Sequence, residues 1–136
     1  MDIYVYDDLL KGFRDYIKQK GTPYGVVVVE YSTSDTTYPH IIFDETRNTM
    51  LRRTNTPVDN VSSLAYTLDI FAKTIDEKNN KKHVARQLAN LCDEFFSHFG
   101  LDRISFNSDF SVNESSTYHI VLNYAGNLLE NRRKFI

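Results

Sequence analysis

A chain of 136 residues that is 41% hydrophobic and 13% aromatic carries enough apolar material for one globular domain and too much for a disordered polymer. Its formal charge of −2 excludes, by composition, a strongly basic nucleic-acid binder and leaves room only for a local basic patch. A single cysteine, Cys92, excludes an internal disulfide framework and fits a reducing cytosol; no stretch nears the ~20 apolar residues of a membrane span. The N-terminus has no basic region leading into a long apolar run. No signal peptide is expected, and the chain reads as soluble and cytoplasmic.

Residues 2–20 predict a helix with Tyr6, Leu9, Leu10, Phe13, Tyr16 and Ile17 on one face and Asp7, Asp8, Lys11, Arg14, Asp15 and Lys18 on the other. Lys18 and Lys20 suit the negative end of its dipole, and Gly21 and Pro23 stop it. Gly12, inside the helix, costs about 1 kcal/mol against alanine, so the helix bends there or another element comes close. Residues 24–31 (YGVVVVEY) are β-branched on both faces, which predicts a strand covered on both sides or set against a partner subunit. A polar turn over 32–37 leads to a second strand, 38–43, most simply hairpin-paired with the first; Pro39 must stand at its start or on an edge. Residues 44–61 are long, polar and irregular. They predict a projecting arm at about 45–60, in which alternation around Met50 would allow an extended ribbon.

From Ser62 the pattern becomes regular. Leu64, Tyr66, Leu68, Ile70 and Ala72 alternate with Ala65, Thr67, Asp69, Phe71 and Lys73, the two-residue period of a half-buried strand. After the linker 76–80, Val84, Leu88, Leu91, Phe95 and Phe99 step by three and four, with Ala85, Ala89, Cys92 and Phe96 beside them. This is a long amphipathic helix ended by Gly100. Cys92 on its apolar face reads as a buried, inert thiol. Ile104, Phe106, Phe110 and Val112 alternate with polar residues, and after a turn at 113–116 Tyr118, Ile120, Leu122 and Tyr124 do the same. The order helix, strand, strand, arm, strand, helix, strand, strand gives an α+β domain spanning 1–136. Its mainly antiparallel sheet has about five strands, with the N-terminal helix and the long helix packed on it.

Catalytic templates fail in turn. The five glycines form no phosphate-cradling loop, no serine sits in a nucleophile elbow, and the four histidines make no metal-binding pair with Cys92 or one another. No cofactor or metal is expected. Asp69 and Glu77 loosely resemble a nuclease acid pair, although an acid on the wetter face of a strand explains Asp69 as well. Asp93 and Glu94 read as a solvated helix face. Two basic groups remain. Lys78, Lys81 and Lys82 crowd the start of the long helix, against its dipole, and suit an acidic partner or simply a solvated linker. Arg47, Arg52 and Arg53 on the arm suit phosphates or a neighbouring subunit's carboxylates, and Met50 and Asn55 stand with them at an expected subunit or tube interface.

Taken in order, several local patterns resemble the tail terminator (tail completion, or head–tail joining) proteins of tailed bacteriophages. They are Tyr38-Pro39-His40-Ile41-Ile42-Phe43-Asp44-Glu45 before the arm, then Tyr66-Thr67-Leu68-Asp69-Ile70-Phe71 before the linker and long helix. Gly100-Leu101-Asp102-Arg103 and the closing strand Tyr118-His119-Ile120-Val121-Leu122-Asn123-Tyr124 complete the set. The resemblance implies a virion protein that assembles in the host cytoplasm as a ring, typically hexameric, at the head-proximal end of the tail tube. There it stops tube polymerisation and offers a surface to head-completion or connector proteins, with DNA only as passing cargo and no membrane. Arms and sheet edges would contact adjacent subunits, which carries Arg52 and Arg53 over as interface residues. The competing readings are a head-side connector, a small α+β nuclease using Asp69 and Glu77, and a nucleic-acid-binding regulator using the three lysines.

Overall fold

The strand that begins at Val61 and the helix that follows it set the centre of the molecule, as their two periods require. The computed structural model describes residues 3–21, 24–31, 33, 36–52, 61–108, 117–129 and 134–135. Its elements are α1 (Ile3–Lys20), β1 (Val27–Val29), β2 (His40–Arg52), β3 (Val61–Ala72), α2 (Lys81–His98), β4 (Asp102–Ser108), β5 (Tyr118–Leu129) and β6 (Lys134–Phe135). The fold is α+β. The strands form one sheet in the order β1-β2-β3-β5-β4, with β6 on β5; every pairing is antiparallel except β1 with β2.

Alternation along β3 decides the layering. Leu64, Tyr66, Leu68, Ile70 and Ala72 are buried, while Ala65, Thr67, Asp69 and Phe71 on the other face are partly exposed. Register carries the same division to the neighbours: Ile41 and Phe43 of β2, and Ile120, Leu122 and Tyr124 of β5, stand opposite the buried β3 residues. Against this face α2 lays Val84, Leu88, Cys92, Phe95 and Phe96. Leu9, Leu10, Phe13 and Ile17 of α1 join the same core. The Phe13 ring meets Phe43, Phe95 and Phe96 at centroid distances of 5.8, 5.2 and 5.4 Å, which puts both helices on one side of the sheet. Removing a side chain such as Phe13 to alanine would cost about 3–5 kcal/mol.

Local chemistry fixes the ends of α2. The Asn80 side chain accepts from the His83 amide at 2.9 Å, satisfying one of the helix's first amides. At the other end Gly100 takes φ 82°. Its amide reaches the Ser97 carbonyl at 3.1 Å and the Leu101 amide reaches Phe96 at 3.0 Å, a Schellman pair that folds Leu101 back into the core. The helix therefore stops one residue before Phe99, which is exposed rather than part of the buried stripe. Gly12 resolves as close approach: a Cβ there would stand 3.7 Å from the Phe95 ring, where α1 meets α2.

Two expectations change. The first strand is short, lies at the sheet's edge and runs parallel to β2, with Val27 opposite His40. Its β-branched run could not distinguish a hairpin from a return to the same end of the sheet, which the connection 30–39 makes. β4 begins at Asp102, and a register shift between Arg103 and Ser105 lifts Ile104 out of the alternation, leaving it 64% exposed. Of the expected arm, residues 45–52 form the extended ribbon that alternation around Met50 allowed, continuing β2 and pairing with β3 as far as Arg52 opposite Val61, and residues 53–60 lie outside the described residues.

Candidate interaction surface

With both helices on one side, no helix among the described residues covers the opposite face of the sheet. That face carries His40, Ile42, Asp44 and Arg47 from β2, then Ala65, Thr67, Asp69 and Phe71 from β3. β5 adds His119, Val121 and Asn123, and β4 adds Ser105 and Asn107. Its polar groups bond mostly to one another. Thr67 donates to Asn123 at 2.6 Å and Asn123 donates onward to Ser105 at 2.8 Å, a row that crosses three strands. His119 Nε2 donates to Asp69 Oδ1 at 2.8 Å. At one end of the face four rings lie in sequence: Tyr38 on His40 at 4.8 Å, His40 on Phe71 at 5.2 Å, and Phe71 on His119 at 4.1 Å, with the Lys73 ammonium over Tyr38. His40 is almost wholly buried, and its Nδ1 donates to the Thr37 carbonyl at 3.1 Å. Burial lowers the His40 pKa from its ordinary value, with the Thr37 bond opposing.

The sequence-predicted residues fall at two ends. Arg47 lies on the open face, its Nε donating to the Ser63 hydroxyl at 3.1 Å. Met50 and Arg52 occupy the far end of β2, opposite Ser62 and Val61. Arg53 and Asn55 lie outside the described residues. Lys78, Lys81 and Lys82 sit at the other end of β3, around the start of α2. Here Asp76 organises the turn: its carboxylate accepts from the Lys78 amide at 2.9 Å and the Asn79 amide at 2.8 Å. These bonds, Asn79 first, hold its carboxyl below the usual range. The Lys81 amide donates to Thr74. The arm and linker groups are not brought together.

The suspected acid pair gains no support. Asp69 is bonded to His119, and Glu77 lies in the exposed turn beyond the strand's end. Among the described residues no three His, Cys, Asp or Glu side chains are grouped to hold a metal, and burial pushes the Cys92 thiol up. Among the described residues no helix is long and apolar enough to cross a membrane.

Several residues escaped the sequence reading. Asp93 and Glu94, expected on a solvated helix face, are ties between elements. Asp93 accepts from the Tyr124 hydroxyl at 2.5 Å and from Arg103 at 2.7 Å, and Glu94 accepts from Tyr16 at 2.8 Å. Burial, reinforced by the Glu94 bond, pushes the Tyr16 hydroxyl up to about 12. A groove of about 460 Å³ opens beside them, lined by Asp93, Glu94, Ser97, Leu101, Asp102, Arg103 and Tyr124. At the opposite edge of the sheet a second groove of about 480 Å³ runs between α1 and β1. His40 and His119, which the sequence showed only as histidines without a metal-binding partner, are buried in the ring row. Only the alternation of His40 and His119 with apolar neighbours could have pointed to the row.

No protein-family model matches the chain, and no curated protein matches it.

Proposed function

We propose that the chain is a structural virion protein, a tail terminator that forms a ring at the head-proximal end of a phage-type tail tube. It stops the tube's growth and presents a surface for head attachment. It acts by binding and geometry, without catalysis or cofactor. One observation carries the reading: a two-layer fold whose helices share one face, leaving a broad opposite face and two edge strands to meet neighbours. The side chains on that face bond across strands instead of converging on a cavity, which suits a rigid contact surface better than a reaction centre. The order of sequence patterns supports the same assignment. In this reading Arg47, Met50 and Arg52 lie at a subunit or tube interface, and Arg53 and Asn55 extend it.

The test is a pull-down of the purified chain with the tail-tube polymer of its own particle, followed by negative-stain images of particles lacking the chain. The proposal expects binding at one tube end and overlong or unterminated tails without the chain. Tails of normal length that never join heads would assign it instead to the head-side connector. Failure to bind the tube, with normal tails and joining, would overturn the reading.

A further inference from the structure

We propose that the end of the molecule where β3 turns into α2 docks onto an acidic protein surface, with Ile75 as its apolar centre, and that the occupant is the head-side neighbour in the particle. The inference rests on the tail-terminator reading above and names the residues through which the head is met.

Backbone connections bring cations from separate parts of the chain to this end. The Gly21 carbonyl accepts from the Tyr24 amide just before β1 begins, Val27 stands opposite His40, and His40 stands opposite Phe71. The last turn of α1 is therefore level with the close of β3, and the Thr74 hydroxyl accepts from the Lys81 amide where α2 starts. Lys18 and Lys20 thus share one end of the fold with Lys73, Lys78, Lys81 and Lys82. Against these lysines the turn sets Asp76 and Glu77, and Asp76 is engaged by the Lys78 and Asn79 amides. Lys81 and Lys82 stand in the first turn of α2, where positive charge opposes the helix dipole and adds nothing to stability.

The apolar centre is one side chain on a turn closed by its own hydrogen bonds. Ile75 is 49% exposed, and its amide donates to the Asn79 carbonyl at 2.9 Å. The Asp76 carboxylate closes the same turn, and the Asn80 side chain caps the helix that leaves it. Ile75 is thus presented with little left to order on binding. Just before β2, the partly exposed Tyr38 ring lies under the Lys73 ammonium at 4.2 Å. A small apolar centre ringed by charge is the anatomy of a protein contact. Phosphates fit it less well, because Asp76 and Glu77 stand exposed among the lysines and repel a phosphate chain, which has no use for an aliphatic side chain. An acidic protein surface with an apolar recess satisfies both the lysines and Ile75.

The place of this end in the particle follows from the opposite one. The reading above gives the far end of β2, with Met50 and Arg52, to a subunit or to the tube, and that end pairs with the start of β3. The lysines follow the close of β3 and are left for the head-side neighbour.

In the experiment, tails are assembled with the purified parent chain or a variant, mixed with heads of the same particle, and scored in negative stain for length and for joining. Lys78→Glu/Lys82→Glu is expected to terminate tubes at parental length and to join heads about tenfold less, while Lys78→Arg/Lys82→Arg joins as the parent does. Ile75→Ser lowers joining without changing tube length, and added salt weakens joining by the parent. A parental urea midpoint checks that each variant folds. Joining at the parental level by the glutamate variant or by Ile75→Ser overturns the proposal and leaves the terminator reading intact. Equal loss in the arginine variant shows that charge is not what is read and overturns it. Overlong tails with the glutamate variant assign this end to the tube and overturn it as well. Duplex DNA bound by the parent and released by the glutamate variant assigns the lysines to phosphates, with the same consequence. Tubes left unterminated by the parent chain remove the terminator reading and the proposal together.

Discussion

The Tyr124 hydroxyl donates a 2.5 Å hydrogen bond to Asp93, fixing the middle of α2 to β5, and Arg103 of β4 holds the other carboxylate oxygen. One carboxylate thus joins three elements beside the β4 edge of the sheet. Asp93→Ala leaves the Tyr124 hydroxyl without this acceptor and is expected to destabilise the fold by about 1–3 kcal/mol. Tyr124→Phe, which leaves Asp93 with Arg103, should cost about 1 kcal/mol. Urea midpoints of the two variants check the order.

The two glycines flanking the C-terminal half of α1 should respond with opposite signs. A Cβ at Gly12 meets the Phe95 ring at an ordinary contact distance, so Gly12→Ala should stabilise by up to about 1 kcal/mol through helix propensity. At Gly21 a Cβ would lie 2.5 Å from Val26 and 2.8 Å from the Ile17 carbonyl. Gly21→Ala should therefore destabilise by about 1–3 kcal/mol. Thermal midpoints measured side by side distinguish them.

Asn80 is a cap by geometry, so Asn80→Ala should cost about 1 kcal/mol and Asn80→Asp should cost little, since an acid suits the helix dipole there. The linker lysines stand against that dipole. Lys82→Glu should leave stability unchanged or slightly raised, which chemical denaturation would show.

His40 gives the fold a pH dependence with a definite sign. Its folded pKa lies below the ordinary value because burial disfavours the charged ring, so the unfolded chain binds the proton more readily. Its contribution is therefore complete above the unfolded pKa and is lost as pH falls from about 6.5 toward the lower folded value. Urea midpoints at pH 7.5 and pH 5.5 should differ more for the parent chain than for His40→Gln. Equal differences in the two proteins would show that His40 is not the responsible group.

The fold was legible where one period governs a long stretch. Leu64 to Ala72 and Val84 to Phe96 bury their predicted faces because each residue meets a continuous layer. Legibility failed where a single residue breaks the period, as Ile104 does in its bulge, and where partners are distant in sequence. Nothing local marks Asp93 as the partner of Tyr124, or Asp69 as the partner of His119. The run Val26–Val29 announced a strand, yet its edge position and parallel neighbour depend on α1 and the return connection rather than on its own residues. The basic residues were visible, and so was their separation, since the arm precedes β3 and the lysines follow it.

The central claim is that this chain ends the growth of a tail tube. The most direct measurement is the length distribution of tubes assembled from their purified subunit in the presence and absence of the chain, with the tube ends imaged. Shorter tubes carrying a ring at one end are the predicted result. An unchanged length distribution with bare ends would contradict the account.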